Sequence, residues 1–340
     1  MALQAQRAPV VKGLTDVEGL KVGHYTLTER PTGCTVILLD GQGAPGGMSQ
    51  RGAAPGTWET DLLDPVNMIE RVNGFVLTGG SAFGADVARG VRRFFEERKT
   101  GFAIAGVFVP IVPGAVIMDL AVGNKPTVRP DADCGYRAAM AATDGPVAEG
   151  NVGAGAGATV GKTGARDRAM KAGLGSASVR LPNGLVVSAI VAVNARGDVI
   201  DPTTGAVVAG VRTADGKGLA DARQLMRRGG RIDGTRVLEN TTIALVATNA
   251  TLTKTEVNRV ALMADDGLAR AINPVHTSGD GDTVFAVATG RWQGQTDASE
   301  VGMLAAEVLA EAIVRAAAKS AGLPGLPSAR DLGTVPARLR

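Results

Sequence analysis

Short runs rich in β-branched and aliphatic residues, Thr35 to Leu39, Phe75 to Thr78, Leu185 to Val193 and Thr242 to Val246, recur along the chain between helical patterns at Ala85 to Arg98, Thr253 to Ala271 and Ala298 to Ala318. This alternation confines the chain to an α/β architecture. Thr253 followed three residues on by Glu256 predicts a reciprocally satisfied helix start. A length of 340 residues permits a large core, in one big domain or two, and no internal repeat divides it. Glycine occurs 47 times while aromatics are only 3%. Such a chain makes many tight turns and close backbone approaches, as loop-rich enzymes do.

A net charge of +3, with basic residues scattered apart from Arg92, Arg93 and Arg227, Arg228, Arg231, gives no reason to expect nucleic-acid binding. Cys34 and Cys134 lie far apart without a CxxC or Cys/His cluster, so inert reduced thiols are expected, with no metal site and no cofactor. The first residues, MALQAQRAPVVKGLTD, hold no continuous apolar stretch, and the region Gly101 to Gly123 is interrupted by Pro110, Pro113 and Asp119. A cytoplasmic protein without membrane association is therefore expected. Arg212 to Glu239 reads as a surface connection, and the segment from Gly322, with prolines at 324, 327 and 336, as a loose C-terminal tail over 322–340.

Two glycine-rich stretches imitate known motifs and fail on spacing. Asn151 to Gly164 ends in Gly-Lys-Thr-Gly, but a phosphate loop needs glycine where Ala156 stands. Leu77 to Gly84 resembles a nucleophile elbow, but needs glycine where Phe83 stands. The chain has two histidines, His24 and His276, so a Ser-His-Asp triad has few candidate bases, and His24 reads as structural.

Asn240, Thr241 and Thr242 sit directly against the apolar run Ile243 to Val246, with no Gly or Pro between. Taken alone, the triplet reads as a turn cap followed by two ordinary β-formers, and it also matches a glycosylation sequon. Taken as chemistry, a threonine at the edge of a buried strand is a rigidly placed hydroxyl. Were the bond before it cut, its own α-amine, titrating near pKa ~8, would be an attached base, and no histidine would be needed.

The stretch NTTIALVATNA, followed by PVHTSGDGDTVFAVATG, resembles the self-cleaving amidases of the DmpA/P1 peptidase family, peptidase family S58, which includes β-aminopeptidases and nylon-oligomer hydrolases. The resemblance extends in matching order through GAAPGTWETDLLDP, LTGGSAFG, VPIVPGAVIMDL, NVGAGAGATVGK and VVSAIVAVNARGDVIDP, over nearly the full chain. It implies an αββα four-layer sandwich of the N-terminal-nucleophile type, shared with the ornithine acetyltransferases. It also implies one precursor that cuts itself at Asn240–Thr241 into chains 1–240 and 241–340, and an assembly such as a tetramer of processed units.

By the same resemblance Thr241 is the nucleophile, Asp280 and Asp282 adjoin it, Lys162 matches an active-site lysine, and Asn194 matches an asparagine that donates to the developing oxyanion. These roles suit the residue types. Carboxylates raise the proton affinity of nearby amines, a cation favours deprotonated neighbours, and an amide N–H stabilises a tetrahedral oxygen. On the residues alone, Asp280-Gly281-Asp282 also reads as a solvated turn, and Asn194 as a turn residue. Several relatives carry tyrosine where this chain has Met118, which cannot donate a hydrogen bond, so a more apolar substrate pocket is expected. The resulting reading is a small-molecule amide hydrolase acting on peptide-like or ω-amino-acid amides. Its rivals are an acyltransferase of the ornithine acetyltransferase type and a non-catalytic glycine-rich binding protein.

Overall fold

The structure is a computed structural model that describes residues 12–164, 166–229 and 240–340. The strands of its two large sheets are, in chain order, β1 (Leu20–Thr26), β2 (Gly33–Leu39), β3 (Gly46–Gln50), β4 (Thr57–Trp58), β5 (Gly74–Thr78), β6 (Gly114–Val116), β7 (Leu174–Arg180), β8 (Val186–Asn194), β9 (Thr241–Thr248) and β10 (Thr283–Ala288). The helices packed on them are α1 (Val87–Glu96), α2 (Ala132–Met140), α3 (Lys254–Ala264), α4 (Asp266–Ala271) and α5 (Ala298–Ala318).

One sheet runs β1-β2-β5-β6-β4 and the other β7-β8-β9-β10-β3. In the first, only the β5/β6 junction is parallel, and in the second only β9/β10. Side-chain alternation explains how the sheets stack. Ile37 and Leu39 of β2, with Phe75 and Leu77 of β5, face Ile190 of β8, Ile243 and Leu245 of β9 and Phe285 of β10 in one cluster. The rings of Phe75 and Phe285 meet across this layer with centroids 5.3 Å apart. The intervening residues face outward. Val36, Leu38 and Val76 meet α1 and α2 through Val87, Val91 and Ala138, while Val191, Ala244 and Val246 meet α3 and α5 through Val257, Val260, Leu309 and Ile313. Both faces of both sheets are covered, so the central strands are apolar at nearly every position. The four layers are those expected.

The helix starts follow from their caps. Thr253 and Glu256 form the anticipated capping box, and Asp297 accepts the Ser299 and Glu300 amides at the head of α5. Four expectations need correction. The pattern Thr253 to Ala271 is two helices, α3 and α4, divided at Asp265. The pattern from Ala85 becomes α-helical only at Val87, after a 3-10 turn over Ser81–Asp86. Cys34 and Cys134 are joined as a disulfide with Cα atoms 6.4 Å apart, because β2 and α2 face each other in the outer core. Their separation of 100 residues in sequence hid this proximity.

The fourth correction concerns the segment from Gly322, which is not a loose extension. Ala329, Val335 and Leu339 are buried in the cluster around α5. Thr334 Oγ1 donates to Val208 O at 2.6 Å, and the Lys171 amide to Pro327 O at 2.9 Å. Of the expected surface connection from Arg212, residues 222–227 form a short helix and 230–239 lie outside the described residues. His24 is structural, as anticipated: its Nδ1 lies 3.0 Å from Thr35 Oγ1, and burial pushes it down to about 4.

Candidate active site

The parallel pairing of β9 with β10 sets Ile243 against Thr283, and so draws the residues just ahead of each strand together. Asn240 forms a parallel bridge with Asp280, and the Gly281 amide donates to Asn240 O at 3.0 Å. The Thr241 hydroxyl donates to that same carbonyl at 2.5 Å. The carbonyl of the Asn240–Thr241 bond therefore accepts from an amide and from the hydroxyl that follows it. The loop after β3 clamps the acidic segment from its other side, with Ala54 N donating to Asp280 O at 2.8 Å.

Asn194 is the last residue of β8 and lies opposite Thr241 in the antiparallel register, so it is a strand residue and not part of a turn. Lys162 Nζ donates to Asn194 Oδ1 at 2.8 Å, and the Thr159 amide reaches the same oxygen at 3.1 Å. Asn194 Nδ2 donates to Met118 O at 3.0 Å. In the intact chain this amide is thus engaged with backbone, whereas the sequence reading aimed it at an oxyanion. The failed phosphate loop has a different use. A Cβ on Gly157 would lie 2.6 Å from Asp119 Oδ2, so glycine lets the loop lie against the segment that carries Met118.

That segment is anchored by a buried ion pair that the sequence reading missed. Arg30 Nη2 meets Asp119 Oδ1 at 3.0 Å, Thr32 Oγ1 donates to Asp119 Oδ2 at 2.6 Å, and the Gly80 amide donates to Asp119 Oδ1 at 2.9 Å. A charge pair so fully hydrogen-bonded fixes Met118 beside Asn194.

Asp280 and Asp282 are 2% and 1% exposed, which removes the solvated-turn alternative. Their surroundings differ. Asp282 Oδ1 accepts from the Thr242 amide at 2.8 Å, and Oδ2 accepts from the His276 amide at 3.1 Å and lies 3.0 Å from its Nδ1. Asp280 Oδ2 accepts from the Thr277 amide at 2.8 Å, while its buried Oδ1 has no hydrogen-bond partner among the described residues. Burial, and then the neighbouring Asp282 charge, push the Asp280 carboxyl above the usual carboxylate range. One carboxylate is tied on both oxygens, and the other keeps one available.

Met118 and Lys162 also line a cavity of about 320 Å³, together with Ala121, Val122, Ala169 and Leu326. Thr241 does not line it and is only 6% exposed. Lys162 and Asn194 connect the two places, because Lys162 borders the cavity and bonds the residue opposite Thr241. The sequence reading missed His276, Asp265 and Arg51, which stand behind Asp282. The faint signals were that His276 is one of two histidines and lies inside the resembling stretch.

A model of peptidase family S58 matches residues 12–329. An uncharacterized aminopeptidase of Mycobacterium tuberculosis is 40% identical over 350 residues, covering 95% of this chain and 98% of the relative. A 6-aminohexanoate-oligomer endohydrolase of a Kocuria species is 31% identical over 326 residues, covering 89% of this chain and 85% of the relative. Among solved structures, a Burkholderia β-aminopeptidase superposes with a TM-score of 0.67 at 24% identity, covering 97% of this chain and 96% of its own. The L-aminopeptidase D-Ala-esterase/amidase of Ochrobactrum anthropi, described as a variant of the Ntn hydrolase fold, gives 0.68 at 20% identity and covers 97% and 94%. The four-layer arrangement described above is that fold.

Proposed function

Since the chain belongs to peptidase family S58 and is accordingly a hydrolase of amide bonds, we propose that it is activated by cutting itself at Asn240–Thr241 and then uses Thr241 as an N-terminal nucleophile. The observation that carries this reading is the Thr241 hydroxyl held on the Asn240 carbonyl while the Gly281 amide polarises the same oxygen. In maturation Oγ1 attacks the Asn240 carbonyl carbon, the hydroxyl proton passes to the departing Thr241 nitrogen, and an ester replaces the amide. Water then cleaves the ester, leaving an Asn240 carboxylate and a free Thr241 α-amine.

In turnover the α-amine takes the hydroxyl proton as Oγ1 attacks the substrate amide, and gives it to the leaving amine. Water resolves the acyl-enzyme. Asp280, with one oxygen available, exchanges protons with the α-amine, Asp282 holds the start of β9, and Lys162 orients Asn194. Once the cut frees the chain ends, Asn194 is the donor for the substrate oxyanion.

The substrates we propose are small peptide-like or ω-amino-acid amides, among them 6-aminohexanoate oligomers and peptides with an N-terminal β-amino acid. The support is the name of the Kocuria relative and the methylene-compatible cavity wall of Met118, Val122 and Leu326. Assembly of several processed units belongs to the same proposal, and the exposed apolar ribbon Phe102–Ile104 and Val107–Val109 is a surface such assembly would cover. Among the described residues no helix is long and apolar enough to cross a membrane.

Intact-mass measurement tests the maturation: the expected products are 1–240 and 241–340, the smaller about 10 kDa by length, and Thr241→Ala leaves one uncut chain. A Thr241→Ala protein that still splits at this bond overturns the reading. A panel of 6-aminohexanoate oligomers and β-alanyl amides, each with free and acetylated amine, then distinguishes exo from endo action. Cut enzyme that hydrolyses none of them but moves acetyl groups from acetylornithine to glutamate would be an acyltransferase.

A further inference from the structure

We propose that His276 is a positioning residue for the Thr241 site: held between Asp282 and Asp265, its ring fixes Asp282 against the Thr242 backbone and sets a positive charge behind the carboxylates. The inference rests on the Thr241 reading above. Three contacts define its geometry. Nδ1 lies 3.0 Å from Asp282 Oδ2, Nε2 lies 3.5 Å from Asp265 Oδ1, and Asp282 Oδ1 receives the Thr242 amide at 2.8 Å. Nδ1 is the hydrogen-bonded end of the ring, Nε2 faces the Asp265 carboxylate across 3.5 Å as a charge contact without a hydrogen bond, and the chain of contacts ends one residue from Thr241.

His276 has φ 54, a left-handed conformation uncommon outside glycine that histidine adopts more readily than most side chains. Here its own amide and its ring both bind the same Asp282 oxygen. Asp265 sits at the break between α3 and α4 and is fixed in turn by Ser49 Oγ at 2.6 Å and Arg51 Nε at 3.3 Å. Arg51 is shared with Asp266, at 2.9 Å. The groups that face the imidazole are therefore Asp282, Asp265 and Arg51, with Asp280 and Lys162 beyond Asp282. Burial works to lower the ring's pKa, but the Asp282 hydrogen bond and the Asp265 charge outweigh it, and the net direction is upward. A positive ring between the two carboxylates lowers the proton affinity of the groups ahead of Asp282, which are Asp280 and the Thr241 α-amine.

Only two histidines are present, so imidazole NMR titration reads His276 with His24 as an internal reference at the acid end. The expected His276 midpoint lies above the ordinary imidazole range and falls in Asp265→Asn. A midpoint at or below the ordinary range, or one unmoved by Asp265→Asn, overturns the bracket. For function, His276→Asn tolerates the left-handed backbone and still donates to Asp282, but carries no charge. The acid limb of kcat/KM should rise by roughly one pH unit, a loss of about tenfold on that limb. A merely structural role would lower kcat without moving the limb, and that outcome refutes the proposal. An uncut, inactive wild type would instead remove the Thr241 reading, and the imidazole titration would then decide the bracket alone.

Discussion

At the residue scale the two carboxylates of Asp280-Gly281-Asp282 do different work, because their partners differ. Asp282 is spent on Thr242 and His276, while Asp280 keeps one buried oxygen without a partner among the described residues. On the proposed mechanism, Asp280→Asn should lower kcat by about 100-fold in the processed enzyme, as loss of an acid–base group does. It should also stabilise the fold. The folded-state pKa of Asp280 is raised above its unfolded value, so the native state binds more protons, and stability falls as pH rises from the ordinary aspartate range through the raised value. Asparagine removes that loss. Denaturant midpoints at neutral pH, higher for Asp280→Asn than for wild type, would check it, and a lower midpoint would return Asp280 to a structural role. Motif order in the sequence points to Thr241, Asp280 and Asp282, with Asp280 as the partner of the α-amine and the other carboxylate holding a network, and the fold brings the three together. The members of that network were not legible, because they are an amide 40 residues away and a ring whose own anchor lies on another element.

At the scale of elements, the strands of the second sheet were readable because their apolar runs are nearly unbroken, while the pairing that matters was not. Parallel contact between β9 and β10 passes through α3 and α4, and no local signal sets its register. Gly281 reports how tight that register is. A Cβ there would lie 2.5 Å from Ala54 O and 3.0 Å from Thr241 Oγ1. Gly281→Ala must open the gap to the Ala54 carbonyl, and a shift of the 280–282 segment away from it would carry the Gly281 amide off the Asn240 carbonyl. Self-cleavage should slow sharply, followed by intact mass over time, with about 1–3 kcal/mol of stability lost to overpacking. Normal cleavage in a folded Gly281→Ala protein would dissociate this amide from the maturation step. On the other sheet, the Cys34–Cys134 link ties β2 to α2 across 100 residues. Cys134→Ser is expected to cost about 2–5 kcal/mol in denaturant titrations run without reductant, and to leave turnover unchanged.

At the scale of the whole molecule, a cut at Asn240–Thr241 would leave the smaller product threaded through the larger. Its strands β9 and β10 occupy the inside of the second sheet, with β8 of the larger product on one side and β3 on the other. Every backbone hydrogen bond at those two junctions joins the products, so they should co-elute under native conditions and part only in denaturant. The C-terminal segment adds a second tie from the same small product. Thr334 and Pro327 bond Val208 and Lys171, Arg338 meets Asp201 at 2.8 Å, and Leu326 closes one wall of the cavity that Met118 and Lys162 line. Prolines made this segment look loose in sequence, because proline signals a break in regular structure and says nothing about burial. Burial comes from Val335 and Leu339 lying on α5, and exposing either costs about 1.5–3 kcal/mol. Ending the chain after Ala321 should thus lower the unfolding midpoint and open the cavity at the Leu326 wall. Because Thr241, Asp280 and Asp282 bond none of the removed residues, the proposed mechanism expects the truncated protein still to cut itself, with KM for a slender oligoamide rising more than kcat falls. A truncated protein with unchanged KM and reduced kcat would show that the segment supports the nucleophile and not the substrate wall.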